Sequence, residues 1–153
     1  MKLPVYLTLQ AESELALADS FVRVAETHGD EPDIHYLCLA LAKQCVSHAQ
    51  KLSPLIGKYG AGPHDDEPER LEDRGLGAPR PGPLGMLRDL QDLHALAGYV
   101  HLTWIVIEQA AHSLRDTELL EVCSSCDEQT SVQQRWLQTR IKQSAPQVLI
   151  AAA

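Results

Sequence analysis

The sequence has few aromatic residues, no excess of positive charge and no long hydrophobic run. Aromatic side chains make up 5% of its 153 residues, whereas hydrophobic residues make up 44% and are mostly Leu, Ala, Val and Ile. This mixture suits helix packing better than a β-sandwich, whose strands favour aromatic and β-branched residues. The length is that of one ordinary domain with a core of its own. We therefore expect a single helical domain over residues 1–153.

The shortage of positive charge and of apolar runs argues against several partners and locations. The formal net charge is −8 at pH 7, which disfavours nucleic acid and an anionic membrane surface as partners. No stretch approaches the roughly 20 apolar residues of a membrane-spanning helix. The first apolar run, residues 3–9, is broken by Pro4 and followed by Gln10 and Glu12, unlike a secretory signal peptide. The default expectation is a cytoplasmic protein.

The sequence has four cysteines in two separate pairs, Cys38 with Cys45 and Cys123 with Cys126. A secreted disulfide scaffold would be smaller and richer in loops. On a helix, Cys38 and Cys45 lie about 10 Å apart, too far to share one zinc ion with bonds near 2.3 Å. We therefore expect reduced thiols that pack as small hydrophobic side chains.

Apolar residues recur at three- and four-residue spacing in four segments, which predicts four amphipathic helices. Their expected limits are about 3–28, 33–57, 83–115 and 117–143. His28-Gly29 and Arg115-Asp116 are turn signals, so each of the two helix pairs is expected to form an antiparallel hairpin. On the first helix, the stripe expected to face the core is formed by Leu7, Leu15, Ala18, Val22 and Ala25.

The segment between the two hairpins, residues 58–82, is rich in glycine and proline and predicts a long crossover without regular structure. Connections of this length are uncommon in compact domains unless they have a task. Spanning the bundle from end to end is a sufficient one. The fold class expected is therefore all-α: a four-helix bundle of two antiparallel hairpins joined by a long Gly/Pro-rich crossover.

Three stretches carry short motifs: Ala11-Glu12-x-x-Leu15 on the first helix, Cys45-x-x-His48-x-x-x-Leu52 on the second, and the run from Tyr99 through Trp104 and Arg115-Asp116 to Trp136-Leu137. They resemble the ferritin-like superfamily, and in particular the small bacterial stress-associated ferritin-like proteins. The resemblance extends over both hairpins and implies a ferritin-like bundle. It also implies a carboxylate-bridged metal pair, with one Glu from each of two helices and a Glu-x-x-His from each of the others.

Several ligand positions that the resemblance implies hold other residues. Glu12 and His48 match, but Cys45 stands where a Glu is expected, and Ala97 takes a ligand position on the third helix. The stretch 128–133 of the fourth helix contains no Glu-x-x-His. An alternative is a displaced site for iron, manganese or zinc, formed by Glu12, His48, His101, Glu108 and His112. The other interpretation of the last three residues is a polar edge at a helix interface.

The function expected from this pattern is a non-enzymatic, ferritin-like scaffold or interaction domain without a cofactor. The alternative is a divergent metal-binding or redox protein with His and Glu ligands inside the bundle. A homodimer or another protein partner is also expected, because the third predicted helix exceeds its neighbours by about 10 Å. The apolar tail, Val148 to Ala153, is also expected to pack against a protein surface. We expect Pro146 to end the fourth helix and the tail to dock on its own bundle, with insertion into a partner as the alternative.

Overall fold

The computed structural model describes residues 1–60 and 77–151. It contains four α-helices: α1 (Leu3–Thr27), α2 (Pro32–Tyr59), α3 (Gly82–Leu114) and α4 (Thr117–Pro146). A π-helical turn, Gln147–Ala151, follows α4, and the described residues contain no strand. This confirms the all-α four-helix class, with each helix end within three residues of its expected position. Most of the predicted crossover, residues 61–76, lies outside the described residues.

The first helix runs antiparallel to α3. At one end of the bundle, His28 Nε2 donates a hydrogen bond of 2.8 Å to Asp89 Oδ2, which joins the end of α1 to the start of α3. Nearer the start of α1, Gln10 Nε2 donates to the Val100 carbonyl at 3.0 Å. Because α1 also turns directly into α2 over residues 28–31, α2 and α3 run in the same direction.

The second helix runs antiparallel to α4, and polar contacts at both ends show this. Arg140 Nε, near the end of α4, donates to Asp33 at the start of α2 at 2.7 Å. Lys58 Nζ, at the end of α2, donates to Asp116 at the start of α4 at 3.0 Å. The end of α2 therefore lies at the opposite end of the bundle from the start of α3.

Helix α1 buries three of the five residues expected in its core stripe, namely Leu7, Ala18 and Ala25. Its large buried apolar residues are Leu3, Val5, Leu7, Leu9, Leu17, Phe21 and Val24. Leu15, which was expected in the core, is 49% exposed, and Val22 is half-buried. The reason is that Gln10, Ser13 and Glu14 interrupt the true core stripe, so the neighbouring stripe has the more regular apolar spacing.

The α-helical part of α4 ends at Pro146, the residue expected to close it, whereas the expected docking of the tail is not seen for Leu149 and Ile150. Helix α4 continues through Pro146 into the π-helical turn, because a proline near a helix end removes only one hydrogen bond of the final turn. Leu149 is 61% exposed and Ile150 is 84% exposed, so neither docks on the bundle. Because α4 ends three residues later than the expected residue 143, it has 30 residues and is nearly as long as α3, which has 33.

None of the helices in the described residues combines the length and the hydropathy that a membrane span requires.

Candidate functional site

A group of buried polar side chains lies between the helices, about halfway along the bundle. Helix α1 contributes Gln10, Ser13 and Glu14, helix α2 contributes His48, and helix α4 contributes Gln133. All of them are essentially inaccessible to solvent. Buried polar groups cost free energy unless they are hydrogen-bonded, so the partners of this polar layer determine what it can do.

The Glu14 carboxylate lies at the centre of the polar layer. Its Oε1 accepts a hydrogen bond of 2.9 Å from Trp104 Nε1 and one of 3.0 Å from His48 Nδ1. The rings of His48 and Trp104 meet edge to face, with their centroids 6.4 Å apart. A single carboxylate oxygen therefore joins α1, α2 and α3 in the interior of the bundle.

The second ring nitrogen of His48 points in the other direction. His48 Nε2 lies 2.6 Å from Gln129 Oε1, and Gln129 reaches the surface. Both ring nitrogens of His48 are thus within hydrogen-bond distance of a side-chain oxygen, one on α1 and one on α4. The result is a hydrogen-bonded chain that leads from the buried Trp104 to the exposed Gln129.

Beside this chain, α2 and α4 make a second set of polar contacts. Gln133 Nε2 donates to Gln44 Oε1 at 3.1 Å, and the Cys45 thiol lies 3.9 Å from Gln133 Oε1. Burial, together with the negative charge of Glu14, raises the pKa of Cys45 far above the ordinary thiol value. Cys45 is therefore a protonated thiol that packs in the core and donates weakly.

Three atoms of the polar layer have no hydrogen-bond partner among the described residues: Gln10 Oε1, Ser13 Oγ and Glu14 Oε2. They lie within one turn of α1. Leaving a buried polar atom unpaired costs about 1–3 kcal/mol. On this side of α1, three buried polar atoms are therefore able to form a further hydrogen bond.

The carboxylate expected to point inward, Glu12, is not the one that does so. Glu12 is exposed, and the buried partner of His48 is Glu14. Two residues on a helix differ by about 200° in direction, so the two side chains lie on opposite sides of α1. The sequence does contain a signal for Glu14: it follows Gln10 by four residues and continues through Leu17 and Phe21 on one face.

The structure does not bring the candidate set Glu12, His48, His101, Glu108 and His112 together. His101 is half-buried and its Nδ1 donates to Asp127 Oδ1 at 2.6 Å. Glu108 is half-buried on α3, and His112 is exposed. Of the five, only His48 belongs to the polar layer. The physical reason is that α3 points Trp104 and Ile107 inward, which leaves His101 at the edge and His112 on the surface.

The polar layer does not fit the metal pair that the ferritin-like resemblance implies. Within residues 1–60 and 77–151, no group of three or more His, Cys, Asp or Glu side chains is arranged to hold a metal ion. The layer offers one carboxylate, Glu14, and one imidazole, His48. The buried side chains that α3 and α4 contribute nearby, Ala97, Thr130 and Gln133, carry no charge to balance two dications.

A second candidate site lies on the outer face of the first hairpin. A groove of about 560 Å³ runs between α1 and α2 and is mostly apolar. Its lining residues are Leu15, Ala18, Asp19, Val22, Leu39, Ala42, Lys43, Val46, Ser47 and Gln50. We call this surface the hairpin groove. It contains Leu15 and Val22, the residues that the sequence alone placed in the core.

Comparison of the chain with protein-family models, with curated proteins and with solved structures gave no match.

Proposed function

We propose that this chain is a non-enzymatic helical scaffold or interaction domain, and that it docks a helical partner in the hairpin groove. The observation that carries the proposal is a second apolar stripe on each helix of the first hairpin. On the outer side of the hairpin, α1 presents Leu15 and α2 presents Val46, each beside a half-buried apolar residue of its own helix, Val22 and Leu39. Leu15 is 49% exposed and Val46 is 38% exposed.

A second stripe has a physical meaning because a helix needs only one apolar stripe to join a four-helix bundle. Leu15, Ala18 and Val22 follow one another at intervals of three and four residues, and so do Leu39, Ala42 and Val46. This is the spacing at which helices pack against helices. Contiguous apolar surface of this kind is typical of protein interaction sites. The partner surface that fits is therefore another helix or helix pair.

We further propose that the bundle is ferritin-like in its connection. Two antiparallel hairpins and a link between opposite ends of the bundle support this, since one long crossover is the feature that distinguishes ferritin-like bundles from simple up-and-down bundles. The proposal concerns the frame alone. The metal chemistry of such bundles is not part of it, since the polar layer holds a single carboxylate, Glu14.

The proposed function is tested by charge substitutions in the hairpin groove. Leu15→Glu and Val46→Glu change half-exposed side chains, so both variants are expected to fold. Leu102→Glu is the matched control, because Leu102 is 62% exposed on α3, away from the groove. With tagged chains expressed in the cells that produce the protein, we expect the wild type and the control to retain the same bound chains, and the groove variants to lose them. Equal recovery from all four proteins would contradict the proposal.

A second candidate function is favoured by one specific observation. Glu14 Oε2 is buried without a hydrogen-bond partner among the described residues, beside an imidazole. This supports a divergent metal-binding or redox protein of the ferritin-like superfamily, with Glu14 in place of Glu12 and with iron, manganese or zinc as the ion. It predicts that protein purified without chelators keeps about one metal equivalent, and that Glu14→Gln removes it.

A further inference from the structure

We infer that the partner of the hairpin groove is a second copy of this chain, and that the two copies form a two-fold symmetric dimer through their α1–α2 hairpins. The inference rests on the proposed function and names its partner. A two-fold contact uses the same patch on both copies, so the patch has to be complementary to itself. The shape and the charge of the hairpin groove both meet this condition.

The shape of the groove combines projections with a recess. Because α1 and α2 are antiparallel and are joined at residues 28–31, Leu15 lies about level with Val46, and Ala18 about level with Ala42. The two larger side chains project from the surface, whereas the alanines form the nearly buried floor. Small residues let the backbones of packed helices approach closely, and larger neighbours fill the space beside them. One face of the hairpin thus supplies both the knobs and the holes of a helix–helix contact.

The charge of the groove also favours a second copy. The chain carries a net charge of −8, so two copies repel each other over most of their surface. Among the described residues, the charged side chains that line the groove are Asp19 on α1, which pairs with Arg23 of the same helix at 2.9 Å, and Lys43 on α2. Two copies can therefore meet at this face without a net like-charge penalty. The groove has no strong charge of one sign, so it would not attract a strongly charged partner.

The apolar tail is a separate surface. Leu149 and Ile150 are exposed at the end of α4, whereas the groove lies between α1 and α2. In the dimer that we infer, the groove is filled by the other groove, and the tail is not needed. Removal of the chain from Gln147 onward is therefore expected to leave the dimer intact.

The test uses the purified full-length chain in sedimentation velocity and light scattering from about 1 to 100 µM. We expect the wild type, the tail deletion and Leu102→Glu to be dimers at tens of micromolar. Because buried apolar anchors at an interface contribute on the order of 2 kcal/mol or more, Leu15→Glu and Val46→Glu should each weaken the dimer by at least about 30-fold. Circular dichroism establishes that each variant is folded. Leu15→Ser and Val46→Ser, which add no charge, replace any variant that is not.

Three results would overturn the inference. A wild-type monomer at 100 µM would exclude the second copy as the partner. A dimer that tolerates the groove variants would place the contact elsewhere on the surface. A dimer lost with the tail deletion would show that the contact requires the tail with Leu149 and Ile150, and not the groove alone. If the purified chain is monomeric but a different bound chain is lost with Leu15→Glu, the inference fails and the proposed interaction function stands.

Discussion

The hydrogen bond between Glu14 and His48 joins two ionisable side chains in a part of the bundle without solvent access. Such a pair costs desolvation energy on both sides, and its mutual attraction offsets that cost only while both partners are present. Trp104 Nε1 adds a donor to the same carboxylate oxygen. The pair therefore contributes more to the specific packing of α1 against α2 and α3 than to the free energy of unfolding.

The first prediction concerns this pair. His48→Leu should lower the free energy of unfolding by about 3–5 kcal/mol, because it leaves the Glu14 carboxylate buried with Trp104 as its remaining donor. The double variant Glu14→Leu, His48→Leu should cost less than His48→Leu alone, since it buries no charge. Urea unfolding of both variants measures the difference. Glu12→Leu, at an exposed position, is the control and should change stability by less than about 0.5 kcal/mol. Additive losses in the double variant would show that the two side chains do not interact.

The second prediction concerns the four cysteines, which are free and buried. Burial raises the pKa of Cys38 and Cys123 to about 12 and that of Cys126 to about 11. Since the thiolate is the reactive form, native protein at pH 8 should react with a thiol reagent at least about 100-fold more slowly than urea-unfolded protein. Time-resolved labelling measures both rates. Fast labelling of the native chain, or a Cys123–Cys126 disulfide formed without added oxidant, would contradict this prediction.

At the residue scale, the sequence identified His48 but not its partner. The short motif around Glu12 carries the ferritin-like resemblance, and that resemblance directed attention to Glu12. The helical period alone places Glu14, and not Glu12, on one face with Leu17 and Phe21. Hydrogen bonds across helices, such as that between His48 and Gln129, join residues 81 positions apart in the sequence. No local pattern indicates contacts of this kind, because they depend on how the helices rotate against one another.

At the scale of single elements, the start of α4 is the helix end with the most complete set of contacts. Asp116 caps α4, and its Oδ1 accepts from the Leu119 N–H at 3.1 Å. Its other oxygen accepts from the Tyr59 hydroxyl and, at 3.0 Å, from Lys58 Nζ. The same carboxylate thus caps α4 and links the end of α2 to the start of α4 by hydrogen bonds.

The third prediction is the pH dependence that Asp116 produces. The Tyr59 hydroxyl, the Leu119 N–H and the Lys58 ammonium lower the pKa of Asp116 from 3.8 to about 2. A carboxylate whose pKa is lower in the folded state stabilises that state above its unfolded pKa, so this contribution is lost as the pH falls from about 4 to about 2. Asp116→Asn should therefore show a flatter loss of stability over this interval than the wild type.

The matched measurement is urea unfolding at several pH values between about 2 and 7. Asp116→Ala should also cost about 1 kcal/mol near pH 7, because it removes the cap of α4. Asp19→Asn, which changes an exposed carboxylate of α1, is the control for acid effects that are not specific to Asp116. Parallel pH curves for the wild type and Asp116→Asn would rule out the proposed contribution.

At this scale the sequence indicated where each helix lies and placed Leu7, Ala18 and Ala25 of α1 in the core, but it misplaced Leu15. Helix limits follow from local signals, such as the turn at Arg115-Asp116 and the Gly/Pro-rich composition beyond α2. The direction of a helix face is a different quantity, because a helix with two apolar stripes has two acceptable orientations. On α1, the stripe through Leu15 and Val22 is the more regular one. The core nevertheless takes the stripe through Leu17 and Phe21, whose polar residues meet partners on α2 and α3.

At the scale of the whole molecule, the all-α four-helix class was predictable and the convergence of charged side chains was not. The contacts at both ends of the bundle pair α1 with α3 and α2 with α4 in antiparallel directions. Metal chemistry depends on how many charged side chains converge. That number follows from helix rotation, which directed Glu14 inward and His112 outward.

The fourth prediction therefore concerns the intact bundle and its response to metal. A carboxylate-bridged iron pair needs several carboxylates to balance two dications, and the polar layer supplies one, Glu14. We expect no stoichiometric di-iron centre, no ferroxidase activity and no change in the melting curve with added iron, manganese or zinc. Ligand present at 100 times its Kd would stabilise the native state by about 2.7 kcal/mol, which corresponds to about 5–10 °C for a chain of this size.

A shift of that size is well above the error of a thermal melt, so the measurement distinguishes the two proposed functions. If the scaffold proposal holds, His48→Leu lowers the melting temperature by the same amount with and without metal, because the loss comes from the broken contact with Glu14. If the metal-binding candidate holds, the wild type melts higher with metal, and both Glu14→Gln and His48→Leu abolish the increase. Glu12→Gln is the matched control, since its exposed carboxylate should not affect either result. About one metal equivalent or more per chain, lost with Glu14→Gln but kept with Glu12→Gln, would make the bundle a metalloprotein and overturn the scaffold proposal.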